Sequence, residues 1–361
     1  GRSGFARRSA LGKVLTDRSL NVPSSLARAF VFVLTCVSAL FIAEWSIRLA
    51  LPSYDPIGNT VFIKDPATGL VLGQRDSVSR QVKNSGDYNV GIRINKHGLR
   101  DRNDVASGRP ADIYVVGDSF TFGWGVEENE RFSNRLSALT GKRTLNLASP
   151  VNIDSYEKIL SYAASLGAEI RNVVIAINMI DDFVTTAPAP APAPITSPAE
   201  TVRNAEDGMT VAVAIYRVKN FLVHNSAFYI ALTSSLNSID WLRAALVRVG
   251  LIATLDKVWG APGPGAVEQS MAVLSRIAQR YSVTILLIPS RGLWIGDKQK
   301  ELAGYHQRIY DELARKGFRI VDMRPVMEAT GAPMDFHFRN DGHWNPKGHA
   351  LAAEALAKAI R

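Results

Sequence analysis

The sequence predicts an α/β protein: a three-layer α/β/α sandwich on a parallel five-stranded sheet, preceded by one N-terminal transmembrane helix. Three observations predict it. Five short β-rich runs recur, Ile113–Gly117, Thr144–Ala148, Val173–Asn178, Thr284–Pro289 and Arg319–Met323, each followed by a stretch with helical periodicity. Runs such as Asn-Val-Val-Ile-Ala-Ile-Asn are apolar at consecutive positions, as strands covered by helices on both faces of a parallel sheet must be. A long uncharged segment precedes all of them.

That segment comes first in chain order. From Ala29 to Ala43 no residue is charged, and beyond Glu44 the apolar trend resumes through Trp45, Ile47, Leu49 and Leu51. A hydrocarbon core of about 30 Å needs about 20 helical residues, so the ends lean on snorkelling Arg28 and Arg48 and on interfacial Trp45. A cleaved signal peptide or a buried core helix would share the apolar run. A cleavage site should read small-x-small, however, and Ser38-Ala39-Leu40 or Ala43-Glu44-Trp45 fits that poorly. The reading is an uncleaved anchor over 29–50. Residues 1–28 hold Arg2, Arg7, Arg8, Lys13, Arg18 and Arg28 against Asp17 alone, which is +5 of the chain's net +9. The positive-inside bias keeps this basic tail cytoplasmic and exports the rest, into the periplasm if the cell is Gram-negative.

Residues 51–110 contain strand-like pieces such as Gly-Ile-Arg-Ile-Asn between turn residues and read as a small β-containing extension linking the anchor to the sheet. The sheet domain occupies 111–361. Two interruptions stand apart within it. The Pro/Ala tract 185–200 cannot hold a helix or a central strand and reads as an extended linker. The stretch 210–259, closed by Gly260-Ala-Pro-Gly-Pro-Gly265, has the apolar spacing of one or two amphipathic helices, acting as a lid, packed in the core, or lying on the membrane surface. The last helix runs from Pro346 to Ile360, with Pro at its start and Ala/Leu along one face.

Composition narrows the function classes. With 361 residues, 47% of them hydrophobic and 21% charged, the chain is globular rather than disordered. Outside the basic tail the charge is nearly balanced and no Lys/Arg cluster is interleaved with aromatics, so nucleic acid is not an expected partner. The single cysteine, Cys36, excludes an internal disulfide framework and a Cys-based zinc site. No cofactor or metal is expected.

Three strand ends carry chemistry. Ile113-Tyr-Val-Val-Gly-Asp-Ser-Phe120 is a buried strand running into Gly-Asp-Ser, which delivers the Ser119 hydroxyl to the C-terminal edge of the sheet, where a nucleophile belongs. As a bare tripeptide Gly-Asp-Ser is also simply a turn. Its partner lies in Asn340-Asp-Gly-His-Trp-Asn-Pro-Lys-Gly-His349. A serine needs a base, and an imidazole needs a carboxylate to fix its tautomer. Asp341 and His343, one residue apart on a tight loop, supply both. His349 falls inside the last helix and reads as a packing or capping residue. His337, near Asp335, lacks the helix-start context. Finally, Val173-Val-Ile-Ala-Ile-Asn178 ends in an amide that can donate to a developing oxyanion, although an Asn after a strand is also a common turn residue.

Strand ends carrying Ser, Asn and Asp/His in that order resemble the SGNH (GDSL-type) hydrolase superfamily over roughly residues 90–361. The resemblance implies a flavodoxin-like sandwich with Ser119 as nucleophile and its own N–H as one oxyanion donor. In the second block, Asn146-Leu-Ala-Ser-Pro-Val151, Val151 stands where a glycine N–H usually donates. The third block keeps Asn178 of the usual Gly-x-Asn-Asp but not its flanks, and Asp181 and Asp182 follow just beyond. Most of the superfamily spaces acid and base as Asp-x-x-His, which here would put Asn340 in the acid's place. Asp341-Gly-His343-Trp is instead similar to the Asp-x-His-Trp variant of membrane-linked, alginate-type glycan O-acetyltransferases. Asn95-Lys-His-Gly-Leu-Arg100 and Gly-Asp-Ser-Phe-Thr-Phe-Gly-x-Gly-Val are similar to a bacterial subgroup with an N-terminal anchor.

The expected function is a membrane-anchored, exported serine esterase acting on an acyl ester, with catalytic Ser119, His343 and Asp341 and an oxyanion hole from Ser119, Asn178 and Val151. Two alternatives stand beside it: O-acetyl transfer to an exported polysaccharide, and a catalytically idle glycan-binding scaffold. Arg100 and Trp124 read as a salt-bridged loop anchor and a packed aromatic.

Overall fold

The computed structural model describes residues 24–56, 60–183, 211–248, 261 and 265–360. The Pro/Ala tract and most of the Gly/Pro break after residue 259 lie outside these residues, as do residues 1–23 of the basic tail and 249–260.

Helix α1 (Ser24–Ala50) is long and apolar enough to cross a membrane, and its apolar side chains, Phe30, Phe32, Leu34 and Phe41 among them, lie exposed along it. Its C-terminal end is docked. Glu44 accepts hydrogen bonds from Ser226 Oγ at 2.7 Å, Ala227 N–H at 2.9 Å and Phe228 N–H at 3.0 Å. Arg48 ties Glu44 to Asp55 and to the Asn225 carbonyl.

Two small antiparallel ladders follow. Strand β1 (Phe62–Lys64) pairs with β2 (Val71–Gly73), and β3 (Ser77–Val82) pairs with β4 (Asn89–Ile94) in a register running from Ser77↔Ile94 to Val82↔Asn89. Alternation explains the second: Val90, Ile92 and Ile94 share one buried face and pack on Phe122 and Ala148, with Phe62, Tyr88 and Trp124 at the margin.

The main sheet contains β5 (Ile113–Val116), β6 (Thr144–Asn146), β7 (Asn172–Asn178), β8 (Ser282–Ile288) and β9 (Arg319–Asp322), all parallel in the order β6-β5-β7-β8-β9. Strand residues alternate between two apolar layers. Tyr114, Val116, Val173, Ile175 and Ile177 face α4 (Tyr156–Ser165), α8 (Ala266–Arg280) and α9 (Gln299–Arg315), which contribute Tyr156, Ile277 and Ile309. Ile113, Val115, Val174 and Ala176 face α3 (Phe132–Thr140), α10 (Met323–Glu328) and α11 (Pro346–Ile360), which contribute Phe132, Met327 and Leu356. Each such Val, Ile, Leu, Met or Phe side chain, fully buried, contributes about 1.5–3 kcal/mol, and helices on both faces account for the unbroken apolar runs. This is the expected three-layer sandwich. The first strand of the sheet lies between the second and third, which places a topological switch point, and hence a crevice, at the C-terminal ends of β5 and β7.

The stretch expected to form one or two helices forms three: α5 (Val211–Asn225), α6 (Ala227–Ser238) and α7 (Asp240–Arg248). Capping makes the breaks. Ser226 takes extended φ/ψ and its Oγ accepts from Tyr229 N–H at 3.0 Å, and Ile239 is again extended. Helix α6 packs on α1 and on the β3–β4 turn, where Ser234 Oγ and Asn237 Nδ2 donate to the carbonyls of Lys83 and Asn84.

Candidate active site

The serine is placed by the sheet. Strand β5 ends at Val116, Gly117 and Asp118 turn the chain, and α2 (Ser119–Phe122) is a single helical turn. Glycine is required at 117, because a Cβ there would come within 2.9 Å of the Ala176 carbonyl on β7. Asp118 is the N-cap, accepting from Phe120 N–H at 2.9 Å, and the turn closes on Gly123 at φ 82°. As the first helical residue, Ser119 has an N–H with no intrahelical acceptor.

The base is placed by a loop anchored on both sides. Phe338 N–H donates to the His343 carbonyl and Asn345 N–H to the Phe336 carbonyl, a short antiparallel bridge across residues 336–345. Trp344, fully buried, meets Phe120 edge-on at 5.5 Å. Asn345 Oδ1 accepts from Lys347 and Gly348 N–H, starting α11 at Pro346. These contacts bring together residues 224 apart in sequence: His343 Nε2 lies 2.8 Å from Ser119 Oγ, and its Nδ1 is hydrogen-bonded to Asp341 Oδ1.

Asp341 is nearly buried, and burial alone would raise its carboxyl. His343 and Lys83 beside it outweigh that and hold it well below the ordinary carboxylate range. Its Oδ2 accepts from Lys83 Nζ at 2.9 Å and Tyr88 Oη at 3.2 Å. Neither residue was singled out in the sequence; both sit in the extension, and no spacing or motif links residue 83 or 88 to residue 341. Trp124 stacks on the His343 ring at 5.9 Å and donates to Tyr88 Oη at 2.9 Å, so it packs against the base itself.

Arg100 is not salt-bridged as expected. It is 1% exposed and donates instead to the carbonyls of Gly91, Phe122, Gly123 and Val126, fixing the loop that follows the serine. Burial lowers its pKa to about 9, with Arg131 adding to the effect.

The predicted oxyanion donors are less simply disposed. The Asn178 amide donates to Asp181 Oδ2 at 3.0 Å and Asp118 Oδ2 at 3.4 Å, so it faces two carboxylates and reaches the serine turn through Asp118. Burial raises the carboxyls of Asp118, Asp181 and Asp182, and Asp118 is pushed up to about 6 against the pull of His343. Val151 lines the same cleft as Ser119, a space of about 470 Å³ bordered also by Val71, Pro150, Asn152 and Asp181. Its N–H is turned to the Ser149 carbonyl at 2.7 Å, so it can donate to an oxyanion only when that turn opens. His337 and His349 are both buried away from Ser119, and burial lowers each to about 3. His349 stacks on Phe132 and accepts from its N–H.

Fold and site together define a three-layer sandwich with a serine–histidine–aspartate set at the sheet's switch point. Residues 281–361, which carry β8, β9, the acid–base loop and α11, match the family model described as "SGNH hydrolase-like domain, acetyltransferase AlgX". The chain is thus similar to the SGNH superfamily and, over this segment, to its AlgX-type acetyltransferase domain; Ser119 and Asn178 lie outside the matched residues. No curated protein matches the chain. Among solved structures, it is similar to a member of the lipolytic protein G-D-S-L family from Veillonella parvula DSM 2008, at 10% identity and TM-score 0.37, covering 68% of this chain and 96% of that one. It is also similar to the C-terminal catalytic domain of Streptococcus pneumoniae peptidoglycan O-acetyltransferase A, at 14% identity and TM-score 0.34, covering 70% and 94%. At this level of similarity neither informs on substrate.

Proposed function

We propose that this chain, whose fold is of the SGNH hydrolase and acetyltransferase kind, is a membrane-anchored, exported serine esterase acting on acyl esters. The observation that carries the reading is the continuous hydrogen-bonded line from Ser119 Oγ through His343 to Asp341. Ser119 Oγ attacks the acyl carbonyl and gives its proton to His343 Nε2, while Asp341 holds the imidazole tautomer and stabilises the imidazolium. The oxyanion takes the Ser119 N–H and the Asn178 amide, which turns from Asp181 as the substrate enters; the Val151 N–H joins when it releases Ser149. His343 returns the proton to the leaving alkoxide, and water then attacks the acyl-serine to release acid and free enzyme.

The family match favours a second reading, in which a sugar hydroxyl replaces that water and the acyl group, usually acetyl, passes to an exported polysaccharide. The two differ in what reaches the acyl-enzyme. The test is turnover of p-nitrophenyl acetate by the full chain in detergent beside Ser119→Ala, with and without an oligosaccharide. Loss of about 10³-fold or more in Ser119→Ala is expected, and an unchanged rate overturns the serine mechanism. Acetylated sugar in place of free acetate selects the transferase. Folded protein with neither turnover nor fluorophosphonate labelling of Ser119 selects the idle glycan-binding scaffold.

A further inference from the structure

We propose that Lys83 and Tyr88, at the turn of the β3–β4 hairpin, are positioning residues for the Asp341–His343 pair, so that the hairpin and not the sheet sets the orientation of the catalytic acid. The proposal rests on the triad reading above and adds to it a pair of residues far from the strand-end motifs.

The geometry is a closed circuit. Asp341 Oδ1 takes the His343 ring Nδ1 and, at 3.1 Å, the His343 backbone N–H. Oδ2 takes Lys83 Nζ at 2.9 Å and Tyr88 Oη at 3.2 Å. Four donors on two oxygens leave the carboxylate no other rotation about its Cβ–Cγ bond that keeps them all. Tyr88 also accepts from Trp124, whose ring stacks on His343, so one hydroxyl braces the acid and the aromatic wall of the base together. Burial, reinforced by Asp341, keeps Tyr88 protonated and therefore a donor.

The hairpin turn is itself clamped. Helix α6 donates to the carbonyls of Lys83 and Asn84, and a Cβ on Gly86, at φ +81°, would approach the Ser234 carbonyl at 3.0 Å. The turn is thus held at fixed height above the acid.

Charge gives Lys83 a second effect. A carboxylate that shares its negative charge with an ammonium has less to offer an imidazolium, so Lys83 fixes Asp341 while tempering its stabilisation of protonated His343. Among the described residues, the other charged or titratable groups near the pair are Asp87 on the hairpin, Arg291, which donates to the Asp341 carbonyl, the buried His337 and His349, and Asp118 and Asp181 on the serine's side.

The test is the pH profile of p-nitrophenyl acetate turnover by full-chain Lys83→Met, Lys83→Arg and Tyr88→Phe, with Ser119→Ala alongside. In Lys83→Met we expect kcat to fall about tenfold with little change in KM, and the acidic limb of kcat/KM to move to higher pH. Lys83→Arg restores most of kcat. Tyr88→Phe removes one oxygen while keeping the ring on Phe338 at 5.1 Å, and loses about threefold in kcat without loss of fold. A merely structural lysine would lower Tm and leave the acidic limb in place. Unchanged kcat and an unmoved limb in Lys83→Met, with turnover still abolished in Ser119→Ala, overturn this proposal and leave the triad standing. Turnover that survives Ser119→Ala removes the triad reading instead.

Discussion

The serine and its base are presented by two regions built on different principles. The serine side is sheet: Val115 and Val116 are fully buried, Gly117 passes against β7, and Asp118 caps the turn from inside the core. The acid side is loop, braced by a hairpin and a helical insertion that are not part of the sheet. The two aspartates record the difference. Burial pushes Asp118 up to about 6 despite His343, whereas His343 and Lys83 hold Asp341 well below the ordinary range despite burial. One residue type is shifted in opposite directions, upward where burial dominates and downward where cationic neighbours do. On the reading proposed above, fixed negative charge lies behind the imidazole, where a cation would form, and is made costlier beside the cleft, where an anion would form.

The largest expected effect breaks the comparison if it fails. Asp341→Asn leaves the loop intact but favours the wrong tautomer of His343, and should cost about 10³–10⁴-fold in kcat. Asp118→Asn keeps an oxygen to cap Phe120 N–H and should cost far less. Steady-state turnover of the two variants on one ester decides it: equal losses would mean that the two carboxylates do the same work and that the division is wrong.

Legibility in the sequence divides along the same line. The strands, and the meeting of Ser119 with Asp341 and His343, could be read because each belongs to a local pattern: an unbroken apolar run, a turn at its end, an Asp and a His one residue apart before a proline-started helix. Lys83 and Tyr88 could not, because their roles come from the packing of a hairpin on a loop more than two hundred residues away, and an exposed-looking Lys-Asn-Ser-Gly-Asp-Tyr turn carries no trace of it. The sequence reading makes Arg100 a salt-bridged loop anchor. Here four backbone carbonyls around it supplied the acceptors, which single-sequence reasoning cannot see. The break at 226 depends on Ser226 acting as a cap, and a lone serine in an apolar-periodic stretch does not by itself mark one.

An intermediate effect sharpens the comparison through pH. A carboxyl raised from its ordinary 3.8 to about 6 in the folded state binds its proton more tightly there than in the unfolded chain. Its contribution to stability is therefore full below about pH 4 and lost as pH rises through about 6. His337 and His349, lowered to about 3 by burial, act in the opposite sense, losing stability as pH falls below their ordinary 6.5. Because those histidines are common to both proteins, the difference between wild type and Asp118→Asn reports the aspartate together with Asp182, whose carboxyl it helps to raise. The stability advantage of wild type should shrink by about 1–3 kcal/mol between about pH 4 and 7, measured by chemical denaturation at each pH. A difference that is flat with pH would mean that the cleft side carries a full-time anion.

The smallest effect concerns how far the acid side's support extends. Glu44 on α1 caps α6, and α6 in turn holds the turn that carries Lys83. Glu44→Ala removes the acceptor for two backbone N–H groups at the start of α6, a loss of about 1 kcal/mol for a helix cap. The Ala227 and Phe228 amides should then exchange with solvent about fivefold faster, while amides of β7 stay as protected as before. Turnover should change by less than about twofold, since Lys83 still has its hairpin partner strand and its own bond to Asp341. If the β7 amides loosen as well, the C-terminal end of α1 stabilises the whole molecule and the serine side is not independent of it. If only α6 responds, the sheet positions Ser119 alone, and α1 and α6 serve Asp341.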